Sequence, residues 1–219
     1  MKKIISGLTD FKNQSYDQRK ELFATLANGQ SPEVLLITCA DSRIDPNLIT
    51  HSEPGDLFIC RNAGNIVPPF GEVAGGMTAS IEFGVAALGI EHIIVCGHTD
   101  CGAMKGAMNP ESLGALPSVA SWLSHTRAAT AVVKERHGEL CDKHLNEVTE
   151  QNVILQMTHL ETHPAVAAKL ASGAVEIHGW VYDIAEGTVR CYDEEKHAFV
   201  AMEEKYYEII HSHKKAVNQ

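Results

Sequence analysis

Three short apolar runs, at residues 34–38, 57–60 and 93–96, constrain the fold of this chain most strongly. Each run is rich in β-branched and aliphatic residues and lacks polar alternation, which is typical of strands buried on both faces. Between the second and third runs, residues 75–88 are rich in alanine and carry apolar residues at helical spacing. Strand, crossover helix and strand in this order predict a parallel α/β sheet.

The rest of the chain completes the same domain. The two segments at 175–183 and 188–193 flank Ala185-Glu186-Gly187, which predicts a β-hairpin. Further helices are predicted over residues 119–136, 145–157, 164–170 and 202–210. We therefore expect a mainly parallel central sheet flanked by helices, in one domain over residues 31–219.

Residues 1–30 are predicted to form a separate helical arm. The stretch 16–26 places Phe23 and Leu26 near one face of a helix, and Asn28-Gly29 is a helix stop signal. Because so short a helix has little core of its own, we expect the arm to pack on another element, such as a neighbouring subunit.

Charge and composition exclude several classes of function. The chain has 18 Lys and Arg against 28 Asp and Glu, a net charge of −10, which argues against nucleic-acid binding. Its longest apolar runs are strand-sized, so no membrane-spanning segment is expected. The first residues lack the pattern of a secretory signal, so we expect a cytoplasmic protein. In that compartment, the six cysteines are expected to be buried, reactive or metal-bound rather than paired in disulfides.

Two polar motifs come directly after the first and third predicted strands. Cys-Ala-Asp-Ser-Arg occupies 39–43 and Gly-His-Thr-Asp-Cys-Gly occupies 97–102. In an open parallel sheet, ligands bind at the carboxyl ends of the strands. If these two strands are neighbours, Cys39, His98 and Cys101 converge, and two Cys and one His with an open fourth position are typical of a catalytic zinc site. The alternative is that they are ordinary buried cysteines and a hydrogen-bonded core histidine.

Asp41 and Arg43 lie beside this candidate site. An Asp–Arg ion pair would orient the carboxylate and keep it ionised, so that it accepts a hydrogen bond from a reacting hydroxide. The alternative is a solvated loop pair. A thiol mechanism is disfavoured because Cys39-x3-Arg43 is shorter than a phosphatase-like loop and the chain has no Cys-x-x-Cys pair.

Other cysteines and histidines are predicted to have no role in this chemistry. His159 and His163 are interpreted as surface or capping residues, because Pro164 begins a new helix there. The segment 211–215 is interpreted as a solvated tail. Four cysteines without neighbouring ligand types are expected to be background: Cys60, Cys96, Cys141 and Cys191.

The motifs together resemble those of the β-class carbonic anhydrases. The resemblance includes Cys-Ala-Asp-Ser-Arg at 39–43, Arg-Asn-Ala-Gly-Asn at 61–65, Gly-His-Thr-Asp-Cys-Gly at 97–102 and His-Gly-Trp-Val-Tyr-Asp at 178–183. It extends from the arm to about residue 199, with the four motifs in the family's order. This agreement identifies the chain as a member of that family.

The resemblance implies a zinc enzyme that hydrates carbon dioxide reversibly to bicarbonate and a proton by zinc-bound hydroxide. It implies Cys39, His98 and Cys101 as ligands of one zinc ion per subunit, and Asp41 and Arg43 as the catalytic dyad. It also implies a homodimer that can pair further, with the active site at the dimer interface. The residues implied to line the substrate pocket are Gln30, Phe58, Ala63, Phe83 and Gly102.

Three positions distinguish this chain within the family. Phe83 stands where many members have Tyr, and Ala63 stands where a larger aliphatic residue is common. Leu36 stands where a bicarbonate-inhibited subgroup has Trp, so cooperative inhibition by bicarbonate is not expected. The chain is most similar to bacterial and cyanobacterial members, so a carboxysome location is expected only in a host that has carboxysomes.

Two alternatives to carbonic anhydrase activity share this scaffold. Hydrolases of carbon disulfide or carbonyl sulfide resemble the same family and use the same zinc ligands on a similarly linear substrate. A carbonic-anhydrase-like shell or scaffold protein would be non-catalytic, but such a protein has no need for the intact pair of Asp41 and Arg43.

Overall fold

A computed structural model describes the backbone of residues 1–71 and 75–217, and the side chains of residues 1–71 and 75–212. Its centre is a sheet of six strands in the order β2-β1-β3-β4-β5-β6. The strands are β1 Val34–Cys39, β2 Leu57–Asn62, β3 His92–His98, β4 Glu176–Asp183, β5 Thr188–Asp193 and β6 Ala198–Ala201. The first four run parallel, whereas β5 and β6 are antiparallel additions at one edge.

The predicted α/β class, the mainly parallel sheet and the hairpin of β4 and β5 are confirmed. The sequence pattern does not predict strand β6, because only four residues form it and two of them are exposed. Its pairing with β5 extends the hairpin into a three-stranded antiparallel edge.

Helices cover the sheet and form the amino-terminal arm. The α-helices are α1 Lys2–Asp10, α2 Tyr16–Gln18, α3 Lys20–Leu26, α4 Pro46–Thr50, α5 Gly76–Glu82, α6 Gly102–Met108, α7 Pro117–Leu123, α8 Arg127–His137, α9 Leu145–Glu161, α10 Pro164–Ala171, α11 Met202–Lys205 and α12 Tyr207–Val217. Wider π-helical turns over Phe11–Ser15 and Phe83–Ala87 continue α1 and α5, and tighter 3₁₀ turns cover Pro110–Leu113, Ser124–Thr126 and Asp142–His144. Within the described residues, no helix is both long and apolar enough to cross a membrane.

Two of the predicted helices are interrupted. The helix predicted over 119–136 is divided by a 3₁₀ turn at Ser124–Thr126, where the Thr126 hydroxyl donates a hydrogen bond to the Leu123 carbonyl oxygen (2.7 Å). Such local side-chain bonds compete with the regular helical ladder. The helix predicted over 202–210 breaks at Tyr206, which lies between α11 and α12.

The main core lies between one face of the sheet and helices α5, α9 and α10. Its fully buried residues include Leu35 and Ile37 of β1, Ile93 and Val95 of β3, Ile81 of α5, Val153 and Leu160 of α9, and Val166 of α10. Two glycines let α9 approach the sheet closely. A Cβ atom at Gly97 would lie 2.9 Å from Val153 Cγ2, and one at Gly179 would lie 2.6 Å from Met157 Sδ.

The amino-terminal arm is helical, as predicted, and makes few contacts with the rest of its own chain. Ile4, Ile5 and Leu8 of α1 are each more than half exposed. The arm is connected to the domain by a salt bridge from Arg19 Nε to Glu53 Oε2 (2.7 Å) and by the Leu26 side chain, which lies against Gly55. The division into an arm over 1–30 and a domain over 31–219 stays a prediction.

Candidate active site

Strands β1 and β3 are neighbours, so the two motifs meet at the carboxyl edge of the sheet. Thr38 of β1 pairs with Cys96 of β3, which places Cys39 and His98 at the same edge. Cys101 comes after a tight turn. Their ligand atoms, two Sγ and one imidazole nitrogen, lie within 4.8 Å of one another, and all three residues are buried. The predicted convergence is therefore observed.

The turn after β3 aims Cys101 back at Cys39. The Thr99 amide donates to the Tyr182 carbonyl (2.9 Å), and the Ile184 amide donates to the Thr99 hydroxyl (3.0 Å), which attaches the turn to β4. Asp100 then adopts a left-handed backbone with φ of 58°, and Cys101 becomes the N-cap of α6. Asp is among the few residues with a side chain that adopt this conformation readily.

His98 has one ring nitrogen bonded and one unpartnered. Its Nδ1–H donates to the Thr99 carbonyl oxygen at 2.8 Å, which leaves the lone pair of Nε2 directed at the two sulfurs. Nε2 is buried and has no hydrogen-bond partner among the described residues. A buried polar atom without a partner is costly, so this nitrogen fits a ligand for a cation. The backbone bond at Nδ1 is also the orienting contact that metal-bound histidines usually make.

The two cysteine thiols shift each other's pKa in opposite directions. The pKa of Cys39 is lowered, chiefly because the Cys101 thiol donates a hydrogen bond to it; burial opposes this shift, and His98 and the Gly64 amide (3.4 Å) add to it. The same bond, together with burial, raises the pKa of Cys101. A cation bound between the two sulfurs would stabilise both as thiolates. The donor set therefore fits zinc, which favours sulfur and imidazole ligands in tetrahedral geometry.

Asp41 lies at the open side of these three residues. Its Oδ2 is 3.9 Å from His98 Nε2. Arg43 donates from Nη2 to Oδ2 (2.8 Å) and from Nε to Oδ1 (3.0 Å), and its backbone amide also donates to Oδ1 (3.0 Å). These hydrogen bonds hold the pKa of Asp41 well below its usual range, so the carboxylate is ionised at neutral pH.

A second carboxylate holds Arg43 from the other side. Arg43 Nη1 donates to Asp100 Oδ2 (2.9 Å), and Nη2 donates to the Asp100 carbonyl oxygen (3.2 Å). Lys105 forms an ion pair with the other Asp100 oxygen. Arg43 is therefore held between the loop after β1 and the turn after β3, which joins the two motifs.

Arg61 is a supporting residue that sequence reasoning does not single out, although it begins the motif at 61–65. From its position on β2 it donates from Nε to the Cys39 carbonyl oxygen (3.0 Å) and from Nη2 to the Asp41 carbonyl oxygen (2.8 Å). These two bonds fix the backbone that carries the first ligand and the carboxylate. The pairing of β1 with β2 is the signal that identifies it, since Thr38 lies opposite Arg61.

Of the five residues implied to line the pocket, two lie near the ligands. Ala63 precedes Gly64, whose amide contacts Cys39, and its carbonyl accepts a hydrogen bond from Trp122 Nε1 (2.9 Å). Gly102 comes directly after Cys101 at the start of α6. Both are exposed, so they are placed to line an opening above the site.

The other three lie elsewhere in the same chain. Phe58 pairs with Leu35, four residues before Cys39, which is about 13 Å along the strand. Phe83 packs against Phe58 with ring centroids 6.2 Å apart and is 49% exposed. Gln30 is exposed and precedes the start of β1 by four residues, at the amino edge of the sheet. One chain does not bring these side chains to its own ligand cluster.

The cysteines predicted to be background lie outside the ligand cluster. Burial raises the pKa of Cys96 and of Cys191 to about 12 each, and burial also raises the pKa of Cys60. Cys141 is half-buried, with its Sγ 3.6 Å from His144 Nδ1. Buried thiols with a raised pKa stay protonated at neutral pH.

The interpretation of His159 and His163 as surface or capping residues is confirmed only in that His163 is the N-cap residue of α10; its side chain makes no capping hydrogen bond, and neither imidazole is exposed. His163 is 2% exposed, and its Nε2 lies 3.0 Å from the Pro68 carbonyl oxygen. His159 Nδ1 lies 2.7 Å from the Val67 carbonyl oxygen, and burial lowers its pKa. Both imidazoles donate to the segment after the 61–65 motif and hold it against α9 and α10.

Comparisons with known proteins agree with the residues of this site. The sequence profile of the carbonic anhydrase family matches residues 34–189. A curated carbonic anhydrase of Pseudomonas aeruginosa is 45% identical over 204 residues, which cover 93% of this chain and 93% of that protein. One of Synechocystis is 46% identical over 203 residues, covering 92% of this chain and 74% of that protein.

Solved structures extend the agreement to the fold. The structure of the β-carbonic anhydrase CcaA has a TM-score of 0.89 at 45% identity, covering 92% of this chain and 98% of that one. A tetrameric β-carbonic anhydrase of the ascomycete Sordaria macrospora has a TM-score of 0.78 at 30% identity, covering 90% of this chain and 97% of that one. The resemblance drawn from the motifs is confirmed, and the chain belongs to the carbonic anhydrase family, within its β class.

Proposed function

We propose that this chain catalyses the reversible hydration of carbon dioxide to bicarbonate and a proton, with Cys39, His98 and Cys101 as the ligands of one zinc ion. The observation that carries the proposal is the convergence of these three buried ligand atoms beside an ionised Asp41. Membership of the carbonic anhydrase family supports the same reaction.

When bound by these residues, zinc supplies Lewis-acid chemistry, which makes a nucleophile from water near neutral pH. Asp41 accepts a hydrogen bond from the attacking hydroxyl group. This bond orients the group so that a lone pair of the hydroxyl oxygen faces the carbon of carbon dioxide. Because Asp41 is ionised, it acts as an acceptor and does not compete as a donor. Arg43 holds both carboxylate oxygens and keeps Asp41 at one orientation.

We further propose that the pocket is completed by a second copy of this chain. Gln30, Phe58 and Phe83 do not reach the ligand cluster of their own chain, yet the family resemblance implies all three as pocket residues. A homodimer that juxtaposes the two sheets would supply them from the partner. The exposed apolar residues of α1 support a second subunit as the surface on which the arm packs.

Zinc content and hydration measured on the same preparations test the proposal. After weakly held metal is removed, the wild type should retain one zinc per chain and hydrate carbon dioxide, whereas Cys101→Ala should lose both, since a ligand is removed. Cys60→Ala removes another buried cysteine, which lies outside the cluster, and should keep both. Zinc-loaded wild type that hydrates no carbon dioxide, or a Cys101→Ala variant with full activity, would contradict the proposal. A parallel assay with carbon disulfide distinguishes the related hydrolases.

A further inference from the structure

A second cluster of metal-ligating atoms lies at the opposite edge of the sheet, where β3 and β4 begin. It consists of His92, Glu176 and His178, whose ligand atoms lie within 4.8 Å of one another. We propose that these three residues bind a divalent transition-metal ion that prefers imidazole ligands, such as Zn²⁺ or Ni²⁺, at a site separate from the cysteine cluster. The cysteine cluster shares none of these residues, and the proposal does not depend on its function.

The parallel pairing of β3 with β4 creates this cluster. His92 lies directly opposite Glu176, and Ile94 lies opposite His178. Because alternate residues of a strand point to the same face, Glu176 and His178 project from the same side of the sheet as His92. The backbone therefore places one ligand on β3 and two on β4, without any loop that would have to fold around the ion.

The distances match those around a tetrahedral ion. His92 Nδ1 and His178 Nε2 are 3.2 Å apart, and two nitrogens at the usual zinc distance, at a tetrahedral angle, lie about 3.3 Å apart. Glu176 Oε2 lies 3.9 Å from His92 Nδ1 and 3.8 Å from His178 Nε2. Its side chain is 69% exposed, so it is free to move the remaining few tenths of an ångström.

A hydrogen-bond chain orients the most buried of the three ligands. His178 Nδ1 lies 3.2 Å from the Tyr206 hydroxyl oxygen, which also accepts a hydrogen bond from Trp180 Nε1 (3.3 Å). With Nδ1–H donating to Tyr206, His178 presents the lone pair of Nε2 to the ion. Metal-bound histidines usually have such a partner on the second ring nitrogen.

The cluster is accessible from solvent. The His92 side chain is 44% exposed and the His178 side chain 20% exposed. Glu176, His178 and Tyr206 also line a cavity of about 490 Å³. An ion can therefore enter, and water can occupy the fourth position of a tetrahedral site. The alternative is a plain hydrogen bond between two neutral imidazoles, which the same 3.2 Å distance permits.

Calorimetric titration of the zinc-loaded enzyme separates these alternatives. After excess metal is removed, Ni²⁺ or Zn²⁺ is titrated into the wild type, His92→Gln, Glu176→Gln and His178→Gln. We expect the wild type to bind one equivalent more than His92→Gln and His178→Gln, and Glu176→Gln to bind it more weakly. Tyr206→Phe should keep the stoichiometry with an affinity about 10- to 100-fold lower, as for loss of an orienting partner.

His211→Asn serves as the matched control, because His211 is an exposed histidine outside the cluster. It should bind the extra equivalent like the wild type. The proposal is overturned if the wild type binds no extra equivalent, or if His92→Gln binds the same number as the wild type. Should His178→Gln fail to fold, His92→Gln and Glu176→Gln still decide the result, since both positions are substantially exposed.

Discussion

Strand β3 begins at His92 and ends at His98, and each imidazole belongs to a cluster of three ligand atoms. At the carboxyl end, His98 is fully buried beside two buried cysteines, of which Cys39 has a lowered pKa and Cys101 a raised pKa. At the amino end, His92 is substantially exposed, and its neighbours are a second histidine and a solvent-facing carboxylate. One strand thus carries two ligand sets of very different character.

The difference arises from the loops at each end of the strand rather than from the strand itself. Parallel pairing aligns the side chains of neighbouring strands along their whole length. Ligand side chains can therefore come together at either end of the strands. At the carboxyl edge the loops continue into Arg43, Gly64 and the Asp100 turn, which make hydrogen bonds around the site, and all three ligand residues are buried. At the amino edge, the His92 and Glu176 side chains stay 44% and 69% exposed, so that site is open to solvent. This contrast between a protected and an open end can be tested directly.

Removal of metal should have the largest effect, and only at the carboxyl end. Stripping zinc from the cysteine cluster is expected to abolish hydration. A ligand held at about 1,000 times its Kd stabilises the native state by about 4 kcal/mol, which for a chain of this size corresponds to about 8–16 °C in Tm. Stepwise chelation, monitored by activity and by thermal unfolding, measures both. In protein first loaded with zinc at both clusters, the exposed cluster should release its ion first, so loss of activity with the first equivalent removed would contradict the assignment of the two ends.

Asp41→Asn should have the next largest effect. The amide replaces an acceptor with a mixed donor and acceptor and weakens the pair with Arg43, so we expect kcat to fall about 100-fold, within the usual range for a lost proton-transfer or acceptor group. Zinc should stay at one per chain, measured by elemental analysis of the same sample. Ser42→Ala, at an exposed neighbour on the same loop, is the control and should keep kcat. A variant without metal would instead make Asp41 a ligand or a folding element.

The sequence predicts the ligand cluster at the carboxyl edge of the sheet much better than the cluster at the amino edge. Cys39, His98 and Cys101 are identifiable because each lies within a few residues of a strand end, where short motifs are visible along the chain. The amino-edge cluster is not, since His92 and His178 are 86 residues apart and neither belongs to a spaced ligand motif. The side-chain contacts of His159 and His163 are missed for a related reason, because their partners at Val67 and Pro68 lie 92 and 95 residues away.

The packing of α9 against β3 near the carboxyl end should also be sensitive to substitution. A methyl group at Gly97 would meet Val153 Cγ2 at 2.9 Å and Thr149 Cγ2 at 3.0 Å. Gly97→Ala is therefore expected to lower the free energy of unfolding by about 1–3 kcal/mol through overpacking against α9. Gly76→Ala, at the start of α5, places its added Cβ more than 4 Å from every described residue outside its chain neighbours and its own helix, so it should be neutral or slightly stabilising. Urea denaturation of both variants measures this, and equal stabilities would show that α9 does not constrain this end.

The smallest effect is expected from Asp100→Asn, which tests how far the charge network around the active carboxylate extends. Asp100 holds Arg43 through Nη1 at 2.9 Å, but its own side chain is 55% exposed. An exposed ion pair contributes no more than about 1 kcal/mol, and Asn keeps one acceptor oxygen for Arg43. We therefore expect kcat to fall about two- to fivefold.

Salt provides the decisive measurement for Asp100→Asn. Because salt screens exposed charges, the difference in kcat between the variant and the wild type should shrink as ionic strength rises. Lys105→Met removes the other partner of Asp100 while leaving its carboxylate available to Arg43, so it should change kcat less than Asp100→Asn. A loss as large as that of Asp41→Asn would mean that Asp100 belongs to the essential machinery. The active site at the carboxyl end of β3 would then include an exposed carboxylate. Burial would in that case not be the property that distinguishes this site from the cluster at His92.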